Sequence, residues 1–272
     1  MNDTQLREVQ LIELEILKEV ARVCDANGID YFLDSGTALG AFRHGGFIPW
    51  DDDIDIGMTR ANYDKFLEIA PSQLGKEFFL QVRKKDKSSP YIYAKVRKHG
   101  TVFMEWSIRS IKMHHGIFVD IFPYDNVPED EVKRARFLRK CQILHRIFML
   151  RSIPDRSEKS AKSVKYSIIA ALRRVLHWMS KIIPISLIEN SVNSLFQKYN
   201  QTQTEYLACL TFGEIFVYKR EDLFPVRDIK FEDQYFKCVN NMEQYLTKLY
   251  GDYLKLPPED ERGGHDIYRL KY

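Results

Sequence analysis

The chain has 272 residues, of which 44% are hydrophobic and 29% are charged, and its formal net charge is only +3. These values are ordinary for a globular protein, so they exclude a disordered chain, a collagen-like chain and a small disulfide-rich scaffold. The length predicts one large domain or one domain with a substantial insertion.

The cysteines and the N-terminal residues predict a cytoplasmic protein. Four scattered cysteines form no CxxC pair, which predicts buried thiols in a reducing compartment: Cys24, Cys141, Cys209 and Cys238. The first ten residues, MNDTQLREVQ, lack the basic start and the apolar core of a signal peptide. No stretch of about 18 apolar residues occurs, so no membrane-spanning helix is expected.

The first 130 residues are predicted to mix short strands with helices. Apolar residues recur at helical spacing over 5–26, and Asn27-Gly28 predicts a left-handed helix end. A strand is predicted over 29–34, which Ser35-Gly36-Thr37 breaks before a short helix over 38–44. The remaining predictions are a strand within 47–57, a helix over 60–70 that Thr59 caps and Pro71 closes, and strands over 78–83, 91–97, 101–106 and 116–122.

The chain from 130 to 200 is predicted to be helical. A Ser- and Lys-rich linker is predicted over 155–165, and an amphipathic helix over 166–183. Short strands over 205–236 and a last helix over 240–254 follow. The mixture of elements predicts an α+β fold.

Charge is distributed very unevenly along the chain. Residues 133–181 hold 14 Lys and Arg against two acids, so this segment carries +12 and the rest of the chain −9. One interpretation is a docking surface for an anionic membrane or a polyprenyl-pyrophosphate-linked glycan. The other is a solvated helical subdomain whose apolar stripe packs on the core: Ile168, Leu172, Val175, Met179 and Ile182. Nucleic acid is not an expected partner, because recognised motifs and interleaved stacking aromatics are lacking.

The run DDDID at 51–55 is the strongest chemical signal. Because side chains alternate on a strand, Asp51, Asp53 and Asp55 would share one face while Ile54 and Ile56 point into the core. Carboxylates at this density repel each other unless a cation lies between them, and hard oxygen ligands suit Mg²⁺, with Mn²⁺ as the second candidate. The alternative, a solvated acidic turn, is disfavoured by the interleaved isoleucines.

A second signal lies about 15 residues upstream. A strand, then Ser35-Gly36-Thr37, then a helix is an arrangement whose backbone N–H groups can receive a phosphate. Arg43 and His44 lie between this turn and the acidic run, where they are candidates to reach a phosphate. Their alternative role is that of cationic residues favoured by the dipole at a helix end.

Three blocks of the chain resemble the LicD family of phosphorylcholine transferases, which are relatives of fukutin. They are LDSGTALGAFRHGGFIPWDDDIDIGMTRANYDKF (33–66), VDIFPYD (119–125) and FEDQYFKCVNNMEQYLTKLYGDYLKLPPEDERGGH (231–265). The resemblance implies a polymerase-β-like nucleotidyltransferase core, here a mixed sheet with flanking helices plus a helical, basic insertion. Two departures lie in the third block, where Phe231-Glu232-Asp233 replaces Phe-Glu-Gly and His265-Asp266 replaces a His-His pair.

The resemblance also implies roles for residues of the first two blocks. Gly36 and Thr37 match the phosphate-contacting turn of the family. Asp53 and Asp55 match its metal-binding pair, with Asp51 as an extra ligand. Nucleotidyltransferases place a third carboxylate on a neighbouring strand, for which Asp120 is the candidate and Glu105 the competitor.

A choline donor needs a pocket of its own. A quaternary ammonium donates no hydrogen bonds, so aromatic faces plus a carboxylate are the expected partners. The aromatic candidates near the three blocks are Trp50, Trp106, Tyr124 and Tyr268, and core packing is the alternative role of each. The segment 256–266, with Glu261 and His265, is predicted to close over the site, with an ordinary surface tail as the alternative.

These observations lead to a functional hypothesis with alternatives. The enzyme is predicted to move phosphocholine from CDP-choline to a sugar of a cell-surface glycan, a teichoic acid or lipopolysaccharide precursor that is lipid-linked, with release of CMP. The alternatives are a CDP-ribitol or CDP-glycerol donor, a CTP-dependent nucleotidyltransferase, and an inactive fold that binds anionic glycan through 133–181. Peripheral contact with the inner membrane face is expected. The predicted parts are a catalytic core at 1–129, a basic helical insertion at 130–200 and a C-terminal part at 201–272 that completes the core.

Overall fold

The computed structural model describes residues 1–154 and 164–272 of the chain. The predicted linker over 155–165 lies outside these ranges except for its last two positions, which begin a helix. The helices are α1 (Asp3–Ala26), α2 (Ser35–His44), α3 (Arg60–Gln73), α4 (Glu131–Ser152), α5 (Val164–Ser180), α6 (Ile185–Phe196), α7 (Arg220–Leu223) and α8 (Met242–Tyr250). The strands are β1 (Phe32–Leu33), β2 (Asp55–Thr59), β3 (Phe78–Gln81), β4 (Ala94–Lys98), β5 (Val102–Glu105), β6 (Phe118–Val127), β7 (Tyr206–Cys209), β8 (Val217–Lys219), β9 (Arg227–Phe231), β10 (Gln234–Cys238) and β11 (Ile267–Lys271).

Strand β6 is the centre of a mixed seven-stranded sheet, which confirms the α+β class. The order is β1-β2-β6-β4-β3, with β7 paired to β6 and β8 paired to β7. β6 runs parallel to β2 and antiparallel to β4 and β7. Nine of its ten residues are buried, as expected for a central strand with both faces covered. The register of the parallel pair brings Asp55 directly opposite Asp120.

Helix α1 covers one face of this sheet and contacts β4 and β6. Its apolar residues at helical spacing are completely buried, including Val9, Ile16 and Val20. Burying an aliphatic side chain of this size contributes about 1.5–3 kcal/mol. The predicted helix over 5–26 is therefore confirmed, and Gly28, at φ +59°, supplies the left-handed residue after its end.

Helix α2 begins three residues earlier than predicted, so Ser35-Gly36-Thr37 forms its first turn rather than a break before it. Asp34 caps the helix by accepting a hydrogen bond from the Ser35 amide. The completely buried Asp34 carboxylate also accepts hydrogen bonds from the hydroxyls of Tyr124 and Tyr245. Two distant tyrosines thus fix the start of α2, which no local sequence pattern reveals.

The boundaries of β2 and α3 also differ from the predictions. The predicted strand within 47–57 begins only at Asp55, because pairing with β1 and β6 starts there and residues 51–54 form other contacts. Helix α3 begins after the predicted Thr59 cap but continues past Pro71 to Gln73. Proline removes a single backbone donor near the end of the helix, where one lost hydrogen bond does not stop the last turn.

The helical insertion has its own small core beside the sheet. Phe137, Cys141 and Phe148 of α4 are buried against Val192 and Phe196 of α6. All four cysteines of the chain are free and buried, as predicted. A helix that could cross a membrane is not found within the described ranges, since none has the required length and apolar composition.

Helix α5 contradicts the interpretation that its apolar stripe packs on the core. The five stripe residues are 55–85% exposed: Ile168, Leu172, Val175, Met179 and Ile182. The reason is the orientation of the helix, which turns a polar side toward α4: His177 is buried there, and its ring contacts the carbonyl oxygen of Leu150.

The ion pair between Arg60 and Asp125 predicts a measurable stability difference. Arg60 donates two hydrogen bonds, of 2.8 and 2.9 Å, to the completely buried Asp125 carboxylate and so joins α3 to β6. Replacing Arg60 by Met leaves that charge buried without its cation, which should cost about 3–5 kcal/mol of unfolding free energy. Urea denaturation of the metal-free protein measures the loss.

The control is Arg22→Met, which removes the more exposed pair with Glu19. A solvent-exposed pair of this kind should cost at most about 1 kcal/mol. Equal losses for the two variants would contradict the structural role assigned to the buried pair.

Candidate active site

Four aspartates converge where β2 begins. Asp55 is the first residue of β2 and faces Asp120 across the parallel pair. Asp51 and Asp53 lie in the segment just before β2, and their carboxyl groups are hydrogen-bonded to each other. Burial and the charges of Asp53 and Asp120 raise the pKa of Asp55 well above its usual range. The fold therefore holds these carboxyl groups together against their mutual repulsion.

Asp51 shows how strongly the cluster resists full ionisation. Burial raises the pKa of Asp51 to about 8, and the charges of Asp53 and Asp52 contribute to the rise. In the protein alone, this carboxyl group thus carries a proton at neutral pH. A cation among the carboxylates would replace that proton, because opposite charge favours the ionised form.

The first turn of α2 is in direct contact with the acidic segment. A β-carbon on Gly36 would lie 2.9 Å from Oδ2 of Asp51, so a larger residue here would displace that carboxylate. The hydroxyl of Thr37 accepts a 2.9 Å hydrogen bond from the backbone N–H of Asp55. Gly36 thus stands beside the carboxylates as predicted, whereas the Thr37 hydroxyl is engaged by the β2 backbone.

His265 and Asp52 form a pair that the sequence patterns did not reveal. Nδ1 of His265 lies 2.9 Å from Asp52, and the His265 backbone N–H donates to the same carboxylate. Burial alone would lower the pKa of His265, but the hydrogen bond to Asp52 and the charges of Asp53 and Asp52 raise it to about 10. The imidazolium therefore balances part of the acidic charge. A β-carbon on Gly264 would overlap the Asp52 carboxylate, so the segment before His265 closes tightly on this site, as predicted for 256–266.

Lys95 is the second cation that sequence reasoning missed. Its ammonium lies 2.7 and 2.9 Å from the two carboxylate oxygens of Asp120, and both side chains are almost completely buried. The rings of Phe118 and Tyr91 flank the ammonium at 3.5 and 4.3 Å. The available signal was a lysine at an inward-facing position of a strand, which is rare unless the lysine is paired.

Glu13 is a third residue that the predictions lack. It lies on α1, on the face that also buries Val9 and Ile16, and it is completely buried. Neither carboxylate oxygen has a hydrogen-bond partner. Burial raises the pKa of Glu13 well above its usual range, and the charges of Asp53, Asp52, Asp51 and Asp120 add to the rise. The sequence feature that could have revealed Glu13 is a glutamate within the apolar stripe of a helix.

A cavity of about 530 Å³ opens beside Asp51. A volume of this size is typical of small-molecule sites. Three predicted substrate-binding residues line it, namely Gly36, Arg43 and Trp50. The other lining residues are Leu39, Ile48, Asp51, Tyr250, Asp252, Tyr253, Lys255, Leu256, Pro257 and Pro258.

Other predicted site residues lie away from this cavity. Tyr124 is buried with its hydroxyl on Asp34, so it supports α2 from behind rather than facing a ligand. His44 is exposed beside Arg43, whose Nε donates to its ring. Glu261 is exposed in a short turn of helix. Trp106 and Tyr268 pack on each other where β5 meets β11.

The competitor for the third carboxylate has a different setting from Asp120. Glu105 accepts a hydrogen bond from the hydroxyl of Tyr91 and stands at the end of β5, in a separate two-stranded sheet. Asp120 lies directly opposite Asp55.

The chemistry of the donor set suits a hard divalent cation. Asp51, Asp53, Asp55 and Asp120 offer only carboxylate oxygens, and the buried oxygens of Glu13 without partners add further capacity. Among the described residues, no group of three or more His, Cys, Asp or Glu side chains is already arranged to hold a metal ion. Mg²⁺ is usually held by only one or two carboxylates, with water and substrate oxygens as its other ligands.

Comparison with known proteins shows which family the chain resembles. Residues 28–154 match the family model described as LicD/FKTN/FKRP, nucleotidyltransferase domain. The lipopolysaccharide cholinephosphotransferase LicD of Haemophilus influenzae is 29% identical over 98% of this chain and 98% of its own length. The human ribitol 5-phosphate transferase FKRP is 49% identical over 16% of this chain and 10% of its own length. Together, the family model and the Haemophilus protein show that this chain is similar to the LicD family.

Proposed function

We propose that the chain, a phosphotransferase by its family, is a Mg²⁺-dependent enzyme that moves phosphocholine from CDP-choline to a sugar hydroxyl, with release of CMP. The observation that carries the proposal is the meeting of Asp51, Asp55 and Asp120 beside Gly36 and the cavity. The acceptor is a lipid-linked glycan precursor, of lipopolysaccharide or teichoic acid. The likeness to the Haemophilus lipopolysaccharide cholinephosphotransferase supports the choline donor and the lipopolysaccharide acceptor.

For the core we propose the architecture of polymerase-β-type nucleotidyltransferases. Its support is the parallel pair of β2 and β6, which carries Asp55 and Asp120 side by side. The description of the matching family model agrees with this assignment.

Asp53 and Asp55 would hold the Mg²⁺, or Mn²⁺ in its place, with Asp51 and Asp120 as further ligands. When bound, the ion supplies positive charge that neutralises the oxygens of the transferred phosphoryl group. Gly36 keeps the α2 turn close enough to Asp51 for a phosphate to contact both the turn and the centre.

The cavity is the proposed site of the donor. Arg43, whose Nη1 donates to the carbonyl oxygen of Tyr253, brings a positive charge for the pyrophosphate to one wall. Trp50, Tyr250 and Asp252 bring the aromatic and acidic surface that a quaternary ammonium requires. His265 pairs with Asp52 and so fixes the wall of the site near Asp53.

The transfer itself needs no covalent nucleophile from the protein. A sugar oxygen forms a bond to the phosphorus that bears choline, the bond from that phosphorus to the CMP oxygen breaks, and CMP leaves. Asp120 is the candidate to accept the proton of the attacking hydroxyl, or to bind the metal that activates this hydroxyl. Burial raises the pKa of Asp120, whereas Lys95, which lies against both of its oxygens, favours the ionised form. Correct positioning of donor and acceptor supplies much of the remaining rate enhancement.

A ribitol phosphate donor is the second candidate. Its support is the human ribitol 5-phosphate transferase FKRP, which is 49% identical to this chain over a short matching region. The phosphate and metal chemistry would be the same with ribitol or glycerol phosphate, and the alcohol pocket alone would differ.

The function is tested by supplying the purified protein and Mg²⁺ with CDP-choline, CDP-ribitol, CDP-glycerol, or CTP plus phosphocholine. We expect CMP release only with CDP-choline and a glycan acceptor, together with a gain in acceptor mass equal to one phosphocholine. Selective use of CDP-ribitol would establish the second candidate instead. Pyrophosphate release from CTP would identify a nucleotidyltransferase and reject phosphotransfer from a CDP donor.

Asp53→Asn and Asp55→Asn should each abolish turnover while the fold remains intact. Each change removes a charge that the cation needs, and it also relieves repulsion among the buried carboxylates. The melting temperature of the metal-free variant should therefore equal or exceed that of the wild type. Thermal melting and a CMP-release assay measure the two effects.

The variants Asp120→Asn and Glu105→Gln test which of the two residues is the third carboxylate of the site. The Asp120 variant should lose about two to four orders of magnitude in turnover, as expected for a general base, with little change in donor affinity. The Glu105 variant should retain turnover, since its carboxylate is engaged by Tyr91. The opposite result would transfer the role to Glu105.

A further inference from the structure

Helix α5 exposes a broad apolar face. Its members are Ile168, Ile169, Leu172, Val175, Leu176 and Met179, and each is 41–64% exposed. Ile182 and Ile183, just after the helix, are 85% and 48% exposed and continue the same face. Water-exposed proteins rarely leave an apolar patch of this extent uncovered, and such patches mark contact with a partner or a membrane.

The orientation of α5 is the reverse of that of an ordinary amphipathic surface helix. Its buried contacts with α4 come from the polar side, where Arg173 donates to the carbonyl oxygen of Ile153 and His177 contacts that of Leu150. An amphipathic helix in water normally packs its apolar side inward. The apolar side is thus available to a nonpolar phase outside the protein.

Basic residues are also exposed on this helix and on its neighbour. Arg174 and Lys181 are exposed on α5 and immediately after it, and Arg139, Lys140 and Arg146 are exposed on α4. The segment 133–181 carries 14 basic residues and two acids in the sequence. Each Lys or Arg near an anionic leaflet contributes about 1 kcal/mol of attraction. An anionic bilayer is therefore the occupant whose charge complements this surface.

Trp178 is a further feature that is typical of a membrane interface. It is 68% exposed, and the Lys181 ammonium lies 3.8 Å from its ring centroid. Tryptophan is enriched at the boundary between lipid headgroups and acyl chains, since its ring is largely apolar but carries a polar N–H.

We infer that α5 is a monotopic membrane anchor, whose apolar face enters the interfacial layer of an anionic bilayer while the exposed cations of α4 and α5 attract its lipid headgroups. A helix of this type lies in the plane of the interface, with its apolar side about 5–10 Å deep. This inference rests on the proposed function in one respect: an anchored enzyme would meet its glycan acceptor at the membrane because the acceptor is carried on lipid.

Vesicle binding tests this inference without donor, acceptor or metal. The full-length protein should sediment with phosphatidylcholine vesicles containing about one third phosphatidylglycerol, and Trp178 fluorescence should shift to shorter wavelength. Raising the salt should weaken binding without abolishing it, because screening acts on charges and not on apolar burial. Leu172→Glu/Met179→Glu should remove both the sedimentation and the fluorescence shift.

Two charge-reversal variants form the matched control. Arg174→Glu/Lys181→Glu should weaken vesicle binding at least about tenfold, given the attraction per cation. Lys85→Glu/Lys87→Glu makes the same change in net charge at exposed positions between β3 and β4, and it should have a smaller effect.

Failure of the wild type to bind anionic vesicles would overturn the inference. A second contrary result would be a protein that does not bind vesicles but forms a concentration-dependent dimer, which Leu172→Glu/Met179→Glu converts to monomers. The apolar face of α5 would then be covered by a second copy of the chain. Intact vesicle binding without phosphotransfer activity would instead count against the proposed function alone.

A separate observation concerns Glu13, which comes from α1 and thus from outside residues 28–154. Both of its oxygens are buried without a hydrogen-bond partner. One turn earlier on α1, Gln10 donates a 2.9 Å hydrogen bond to the carbonyl oxygen of Asp51, so this part of the helix lies against the acidic segment. Buried polar atoms are almost always hydrogen-bonded, so such a pair of oxygens indicates a missing partner. We propose that Glu13 is a further carboxylate of the cation site, which contacts the divalent ion or its bound water.

Titration calorimetry with Mn²⁺ tests this role directly. Glu13→Gln should weaken Mn²⁺ binding by about 10–100-fold, the usual loss when a supporting partner of a metal site is removed. Glu13→Leu should give a similar loss and leaves no unpaired polar atom in the core. The control is Glu15→Gln, which changes an exposed glutamate of the same helix that pairs with Lys98 and should leave affinity unchanged.

Unchanged Mn²⁺ affinity in both Glu13 variants, with both folded by circular dichroism, would overturn the assignment. Absence of Mn²⁺ binding by the wild type would reject the metal site as a whole, and with it the metal requirement in the proposed function.

Discussion

Mutual repulsion among carboxylates at the start of β2 is the constraint around which this molecule is built. The parallel register of β2 and β6 fixes Asp55 against Asp120, so the repulsion cannot be relieved by moving the strands apart. The protein offsets it with one buried and one partly buried cation. Lys95 lies on Asp120, and the imidazolium of His265 pairs with Asp52. The remaining negative charge is the attraction on which the proposed metal site depends.

The surrounding elements serve to hold these charges in place. Gly36 lets α2 approach the acidic segment, and Thr37 bonds to the backbone where β2 begins. Glu232 has a comparable role further from the centre. It accepts hydrogen bonds from Arg7 and from the amide of Phe47, and so connects α1 and the chain after α2 with the β9–β10 turn. Residues close to the donor cavity are thus supported by elements from both ends of the chain.

Local patterns predicted the elements well because their causes are local. The apolar spacing of α1, the Thr59 cap and the buried Ile54 and Ile56 all appear in the structure. The start of α2 could not be predicted in the same way, because Tyr124 and Tyr245 fix its capping residue from 90 and 211 positions away. The same limit explains Lys95, Glu13 and the Asp52–His265 pair. Each is defined by a neighbour across the fold, so the sequence reveals an unusual residue but not its partner.

The dependence of α2 on Tyr245 bears on how the enzyme is made. Asp34 and the acidic segment leave the ribosome long before α8 and His265, and domains begin to fold while the chain is still being synthesised. A nascent chain therefore carries the acidic cluster without the tyrosine that secures the α2 cap and without the imidazolium that balances Asp52. The cluster can reach its final arrangement only after Tyr245 and His265 have emerged, so this site matures later than the segment that carries its aspartates.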